Sequence, residues 1–361
     1  VKILMFGWEF PPHSSGGLGT ACAGLTKGLA NRGVDVTFVI PSSSLDISPS
    51  HVKLIVADRA KSKNGVTVTF VDSLLSPYMT PSDYTKKIEL IQLDKSRSGN
   101  ADVYGQNLFQ EVYRLSEKAK LIALSDDFDV IHCHDWMTYP AGIKAKQVTG
   151  KPLVVHIHAT EFDRTGGNPN QVIYNMEREG FHEADRIIAV SQFTKDKVVE
   201  HYDISPDKVE VVHNAVEFDD SSVEGDLGLK AMDKVVLFLG RLTMQKGPDH
   251  FLDAAKKVID YDPNVKFIIA GSGDMEHSMV EKACHLGIAD KVIFTGFLKG
   301  KDIDRAYRMA DLYVMPSVSE PFGITPLEAM RNGTPVLISK QSGVSEVIDH
   351  CLKVDFWDID Q

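Results

Sequence analysis

The sequence predicts an α/β protein of two doubly wound domains, and three observations carry that expectation. Short β-branched apolar runs alternate with longer helical patterns along the whole chain. This is the signature of parallel sheets covered by helices on both faces. One polar, aperiodic stretch, Asp219-Asp220-Ser221-Ser222-Val223-Glu224-Gly225-Asp226, interrupts the alternation and reads as a surface segment at or beside a domain junction. A length of 361 residues also suits two cores of ordinary size.

In the first half the strand-like runs are Lys2–Phe6, Val34–Ile40, Val66–Val71, Val130–Cys133, Leu153–His156, Arg186–Val190 and Val209–Val212. In the second half they are Val235–Leu239, Phe267–Ala270, Val292–Phe294, Leu312–Met315 and Pro335–Ile338. Helical patterns fall between most of them, as in Gly19–Arg32, Asp102–Leu124 and Gly247–Ile259, the last with Pro248 near its first position. The expected domains are 1–222 and 234–361, joined by a linker region at 223–233. Ligands of open α/β sheets bind beyond the carboxyl ends of the strands. Two such sheets facing each other would enclose a central cleft, so unusual residues are expected at strand C-termini.

Composition removes several function classes. The net charge is −11 and no Lys/Arg run resembles a nucleic-acid stripe. No apolar run approaches a membrane span. The N-terminus reads as an apolar strand entering a glycine loop, not as a signal peptide. Cys22, Cys133, Cys284 and Cys351 are far apart and form no CxxC pair, which suits free thiols in a reducing cytoplasm. A soluble cytoplasmic protein is expected, with its oligomeric state open.

The strand ends do carry unusual residues. After the first strand comes Gly7-Trp8-Glu9-Phe10-Pro11-Pro12-His13-Ser14-Ser15-Gly16-Gly17-Leu18-Gly19. Gly16, Gly17 and Gly19 open a helix, so backbone amides can face an anion with the helix dipole behind them. The spacing is neither G-x-G-x-x-G nor a P-loop, and a tight turn with close helix packing explains these glycines equally. The pairs His132-Cys133-His134-Asp135 and His156-Ile157-His158 each place two imidazoles on one strand face. Metal hydrolases use such pairs, but with further His and Asp ligands in a barrel that this two-domain pattern does not match. Burial against backbone partners is the plain alternative for His132 and His156, and helix capping for Asp135 and Thr160.

In the second half, Gly240-Arg241-Leu242-Thr243-Met244-Gln245-Lys246-Gly247 joins a strand to a helix. A guanidinium fork and an ammonium beside a helix start suit two phosphates, although a solvated loop would also hold them. Ala270-Gly271-Ser272-Gly273 and Phe294-Thr295-Gly296-Phe297 end the next two strands. Glycine there lets a flat base or a ribose approach the backbone, or simply makes a turn. The segment Ser319-Glu320-Pro321-Phe322-Gly323-Ile324-Thr325-Pro326-Leu327-Glu328-Ala329-Met330 then holds two carboxylates. Thr325 to Glu328 reads as a capping box with Pro326 in the first turn, whereas Glu320 has no structural reason of that kind.

GRLTMQKG followed by SEPFGITPLEAM, with glutamates in the E-x7-E arrangement, resembles retaining glycosyltransferases of the GT-B fold. WEFPPHSSGGLGTA, HCHDW and HIHATEFDRTGG narrow the resemblance to glycogen and starch synthases of archaeal or bacterial type, relatives of the sucrose-synthase-like family. It runs the length of the chain. It implies two Rossmann-like domains facing a cleft and transfer of a glucosyl unit from ADP-glucose or UDP-glucose to the end of an α-1,4-glucan. The anomeric configuration would be kept, with no metal and no cofactor. It implies that Arg241 and Lys246 hold the donor diphosphate and that Glu328 takes the ribose hydroxyls. Glu320 and His158 would lie beside the transferred sugar, with Asp135 on the acceptor side. Gly16, Gly17, Gly271, Gly296, Phe322 and Gly323 complete the implied donor site. Three DxD patterns, at Asp127, Asp302 and Asp358, fall in helix or loop surroundings and read as solvated acids.

The chain departs from that family in two places. Ser14 stands where bacterial glycogen synthases commonly carry a lysine, and Gln341-Ser342-Gly343-Val344-Ser345-Glu346 replaces their Thr-Gly-Gly stretch. Relatives also continue past the point matching Gln361 with helices that return to the first domain. The alternatives are another retaining transferase forming sucrose, a mannoside or another glycoside, an epimerase of nucleotide sugars, a metal-dependent hydrolase, and a non-catalytic sugar binder. A glycosidase would also use two carboxylates, but it has no use for Arg241 and Lys246.

Overall fold

The computed structural model describes residues 1–8, 10, 17–42, 59–61, 66–75, 79–93, 107–216 and 234–361. The expected linker 223–233 and Gly16 lie outside these described residues. Two compact units are present: Val1–His158 with Gln171–Ala189 and Lys197–Val212, and Ala159–Asn170 with Val190–Asp196 and His213–Gln361.

The first unit is built on a sheet of order β3-β4-β2-β1-β5-β6-β7-β8. Its strands are β1 (Lys2–Phe6), β2 (Asp35–Ser42), β3 (Arg59–Lys61), β4 (Val66–Asp72), β5 (Val130–His134), β6 (Leu153–Ile157), β7 (Arg186–Ala189) and β8 (Val209–Val211). All pairs are parallel except the edge pair β3–β4. The helices up to β8 are α1 (Gly17–Ala30), α2 (Pro81–Leu93), α3 (Leu108–Ser125), α4 (Tyr139–Thr149), α5 (Glu161–Thr165), α6 (Gln171–Glu183) and α7 (Gln192–Tyr202). Helix α3 is capped by Asn107, whose side chain accepts from the Gln110 amide; the expected start at Asp102 lies outside the described residues. Helix α5 and the first turn of α7 belong to the second unit.

The second unit has a sheet of order β11-β10-β9-β12-β13-β14. Its strands are β9 (Lys234–Leu239), β10 (Val265–Ala270), β11 (Val292–Gly296), β12 (Leu312–Met315), β13 (Val336–Ser339) and β14 (Leu352–Val354), all in parallel register. Between them run α8 (Pro248–Tyr261), α9 (Glu276–His285), α10 (Lys301–Met309) and α11 (Thr325–Arg331). The near-continuous apolar strands follow from burial on both faces. Alternate residues of β9 divide between two cores, Val235 and Leu237 in one and Phe238 in the other. Strand β14 and the short antiparallel β3 were not expected from the sequence. Both are three residues long and lie at sheet edges, where periodicity has too little length to register.

In both sheets the chain reverses its direction of strand addition once. From β1 it proceeds through β2 and β4 on one side, then restarts at β5 on the other. From β9 it proceeds through β10 and β11, then restarts at β12. The loops after β1 and β5, and those after β9 and β12, therefore diverge at switch points, where an open α/β sheet leaves a crevice. No described helix is long and apolar enough to cross a membrane.

The loop after β9 is held tightly. Gly240 donates to Ala270 and Leu242 to Ser272, both through backbone amides. A Cβ on Gly271, at φ +143°, would stand 1.9 Å from the Gly240 carbonyl oxygen. Gly287 also has positive φ, but open space surrounds its Cβ position. Gly287→Ala should therefore cost only the left-handed penalty of about 1 kcal/mol, and Gly271→Ala about 3 kcal/mol or more. Urea unfolding of both variants measures the difference. Equal losses would show that the backbone contact at Gly271 does not constrain this loop.

Candidate active site

The second unit brings Lys246 and Glu320 together at its switch point. Lys246 ends the single 3-10 turn Met244–Lys246 after β9, and Gly247, in the left-handed region, starts α8 with Pro248 at its first position. A Cβ on Gly247 would meet the Pro316 carbonyl oxygen at 2.2 Å, so this loop and the one after β12 touch through backbone. Glu320 follows β12 and is buried. Its Oε2 takes the Lys246 Nζ at 2.5 Å and the Ser317 hydroxyl at 3.1 Å. Its backbone is bridged to the loop after β13: the Glu320 amide donates to Gln341, and the Gly343 amide donates to the Glu320 carbonyl. The Gln245 side chain donates to the Ser319 carbonyl, and the Val318 amide returns a bond to the Gln245 carbonyl.

Helix α5 supports the same loops within this unit. Thr160 caps it by accepting from the Asp163 amide, and the Asp163 carboxylate accepts from the Thr160 amide in return. The other Asp163 oxygen accepts the Ser319 hydroxyl at 2.6 Å, next in sequence to Glu320. The Thr160–Asp163 pattern was legible as a cap. Nothing in the sequence signals the bond to Ser319, because its partners lie far apart along the chain.

The capping box expected at Thr325–Glu328 is not formed. Helix α11 is preceded by Ile324 in the cap position with no side-chain cap. Two tyrosines compete successfully for the side chains involved. The Tyr313 hydroxyl donates to Thr325 Oγ1 at 2.8 Å, and the Tyr307 hydroxyl donates to Glu328 Oε2 at 3.1 Å. Burial raises the Glu328 carboxyl above its ordinary range, while Tyr307 and Arg331 pull it back. Arg241 is half-buried in the loop after β9. Phe322 lies in the apolar core, with its carbonyl accepting from the Val344 amide. Gly323 backs Glu320, since a Cβ there would come 3.0 Å from the Glu320 Cγ. Gly271 is explained by the close approach of Gly240, whereas Gly296 has open space where a side chain would begin.

The first unit gathers Asp135 and His158 at the ends of β5 and β6, together with the rest of the two HxH pairs. His134 and His156 face each other across β5 and β6, so His132, His134, His156 and His158 lie on one sheet face. Neighbouring rings have centroids 4.2–5.5 Å apart. His134 Nδ1 and His158 Nε2 are 2.9 Å apart. His132, His134 and His156 are buried. Burial, reinforced by the neighbouring imidazoles, lowers all three pKa values, that of His132 to about 3, so these three rings are uncharged near neutrality. The Asp135 side chain does not cap the turn that follows it. Its Oδ1 accepts from the His158 amide at 2.8 Å, and its own amide donates to the His156 carbonyl. Asp135 has φ 61° and ψ 167°, a region nearly reserved for glycine. Gly17 begins α1.

A sequence signature described as Glycosyltransferase Family 4 matches residues 15–220, and one described as Glycosyl transferases group 1 matches residues 221–352. An uncharacterised glycosyltransferase of Methanocaldococcus jannaschii is 34% identical over 363 residues, covering 97% of this chain and 83% of that protein. A D-inositol 3-phosphate glycosyltransferase of Mycobacteroides abscessus is 31% identical over 234 residues, covering 60% of this chain and 52% of that enzyme. The matched region is therefore about half of that enzyme's length. The structure of a sucrose-phosphate synthase from Thermosynechococcus elongatus superposes with a TM-score of 0.74 at 18% identity, covering 99% of this chain and 87% of that one. At that identity the likeness establishes the fold, which is GT-B.

The strained Asp135 backbone is held by hydrogen bonds that include those to His156 and His158, and substitutions separate strain from bonding. Asp135→Asn keeps an acceptor for the His158 amide and should change unfolding free energy by less than about 1 kcal/mol. Asp135→Ala keeps the strain and orphans that amide, and should lose about 2 kcal/mol or more. Urea titration followed by the fluorescence of adjacent Trp136 tests this. Indistinguishable variants would remove the carboxylate as the support of this backbone.

Proposed function

The chain belongs to the group 1 and family 4 glycosyltransferases, and from that premise we propose that it is a retaining α-glucan synthase. It moves a glucosyl unit from ADP-glucose or UDP-glucose to the end of an α-1,4-glucan, without a metal ion. The observation that carries the reading is the Lys246–Glu320 pair at a switch point, in loops that also carry Arg241.

Breaking a glycosyl–phosphate bond develops negative charge on the departing diphosphate and positive charge at the anomeric carbon. Arg241 and Lys246 are fixed cations for the first, and they stabilise the transition state more than the ground state. An ammonium has three N–H donors, so Lys246 can keep Glu320 Oε2 and still reach a phosphate oxygen. Two protein cations supply what a divalent metal supplies in other transferases. Glu320 is the carboxylate for the transferred hexose. Glu328 takes the ribose hydroxyls with the capacity that Tyr307 leaves free. His158 meets the sugar through its carbonyl or its ring, and Asp135 orients it while lining the acceptor side. Gly16 and Gly17 offer amides to the donor. A cytoplasmic site of action suits four cysteines without a disulfide.

A second reading keeps the chemistry and changes the acceptor. The mycobacterial relative is named for D-inositol 3-phosphate, which favours a phosphorylated cyclitol as the competing acceptor.

Release of nucleoside diphosphate from ADP-glucose, UDP-glucose and GDP-mannose, each with glycogen, a maltooligosaccharide or D-inositol 3-phosphate, separates these readings. Glucan-dependent ADP or UDP release is expected, and Glu320→Gln or Lys246→Ala should reduce kcat about a hundredfold. Release only with inositol phosphate would replace the glucan reading. Donor binding without release from any acceptor would overturn both.

The ionised Glu328 is the form that accepts ribose hydroxyls, so donor KM should rise as pH falls through its raised pKa. Tyr307→Phe removes a bond that favours the charged form and should move this acidic limb to higher pH. A limb that Tyr307→Phe leaves in place would remove Glu328 from the donor site.

A further inference from the structure

We propose that Cys22, His134 and His158 form a binding site for a thiophilic divalent cation of the zinc or cobalt kind. Among the described residues two trios could hold a cation, Cys22–His134–His158 and His132–His134–His156, and within each trio the donor atoms lie within 4.8 Å of one another. Geometry and charge favour the first. The His132 ring lies within 22° of parallel to His134 and within 21° of parallel to His156. Lone pairs lie in the ring planes, so stacked rings do not converge on one ion. That trio is also fully buried and offers no anion to a dication.

The first trio lacks both defects. His134 Nδ1 and His158 Nε2 already point at each other across 2.9 Å. Around tetrahedral zinc, with bonds of about 2.0–2.1 Å to nitrogen and 2.3 Å to sulfur, donors stand about 3.3–3.6 Å apart. The two nitrogens need to separate by about half an ångström, and the half-buried His158 ring to turn so that both lone pairs meet at the ion. Cys22 is buried and becomes a thiolate on binding, releasing its proton to solvent and cancelling one charge of the cation. His158 is half-buried, which leaves water access and a fourth position.

The remaining histidines then have a use. When His134 binds through Nδ1, its ring proton sits on Nε2, a buried atom with no hydrogen-bond partner. His132 Nε2 and both ring nitrogens of His156 are also without partners, and these three side chains share the second trio. They lie within 4.8 Å of His134, so a small turn of these rings on cation binding would bring an acceptor to the His134 Nε2 proton, the outer-shell support that metal-bound histidine requires. Binding would also occupy the His158 ring, so a bound cation would inhibit sugar transfer. That consequence alone rests on the proposed function.

The test uses the full chain after chelator treatment, titrated with Co2+ and followed by absorption. One equivalent should bind, with tetrahedral d–d bands and a thiolate-to-cobalt charge-transfer band in the near ultraviolet. Cys22→Ser should abolish the charge-transfer band and weaken Zn2+ binding, measured by calorimetry, by about tenfold or more. His134→Gln should weaken it similarly, and thermal melting checks that both variants fold. No stoichiometric binding, or binding that Cys22→Ser leaves unchanged, overturns the site. Donor turnover gives a separate readout: Zn2+ should inhibit the wild type but not Cys22→Ser, whose turnover without metal should match the wild type. Binding through Cys22 without inhibition would keep the metal site and remove the His158 ring from the reaction.

Discussion

The Lys246–Glu320 pair is the constraint around which the second unit is arranged. Removing two charges from water costs several kcal/mol per ion, and attraction between them repays it only with good geometry and further hydrogen bonds. The surrounding loops meet those conditions. Ser317 takes the same carboxylate oxygen, and the Glu320 backbone is bridged to the loop after β13. Gln245 and Val318 tie the lysine loop to the glutamate loop. Gly247 lets that loop lie against the Pro316 carbonyl. An apolar pair would stabilise the fold as well or better. The pair is therefore not explained by stability alone.

The first unit meets a different constraint by a different route. Burial keeps His132, His134 and His156 neutral. Asp135 holds the His158 amide from a backbone conformation that costs about 1–3 kcal/mol. Strain of this size persists only where neighbours determine the conformation, and here the His156 carbonyl and the His158 amide both do so.

Much of this was legible in the sequence, and the failures have physical causes. Long apolar strands and the glycine-to-proline start of α8 are local signals, and they were read to within a few residues. Strand order is not local, so the reversals at β1/β5 and β9/β12 could not be read. Only those reversals show which strand ends lie at a switch point. The capping box at Thr325 failed because Tyr307 and Tyr313, one to two elements away, offered hydroxyls to both side chains. Gly271 was read either as room for a ligand or as a turn, and the close approach of the Gly240 carbonyl is by itself enough to require glycine there. The Asp163–Ser319 bond joins residues 156 positions apart, beyond any periodic pattern.

His134 shows why residue type misleads when partners are unseen. In the sequence it is one half of an HxH pair, which suggests either a metal ligand or a satisfied core residue. In the fold it contacts His158 through Nδ1, while Nε2 is buried without a partner. A neutral imidazole has one donor and one acceptor nitrogen, so the tautomer of His134 decides which role is left for His158. If Nδ1 carries the proton, His158 Nε2 accepts and its other nitrogen must donate. If Nε2 carries it, His158 donates through Nε2 and keeps an acceptor on the other side. The buried row therefore sets the hydrogen-bonding sense of the half-exposed ring at its end.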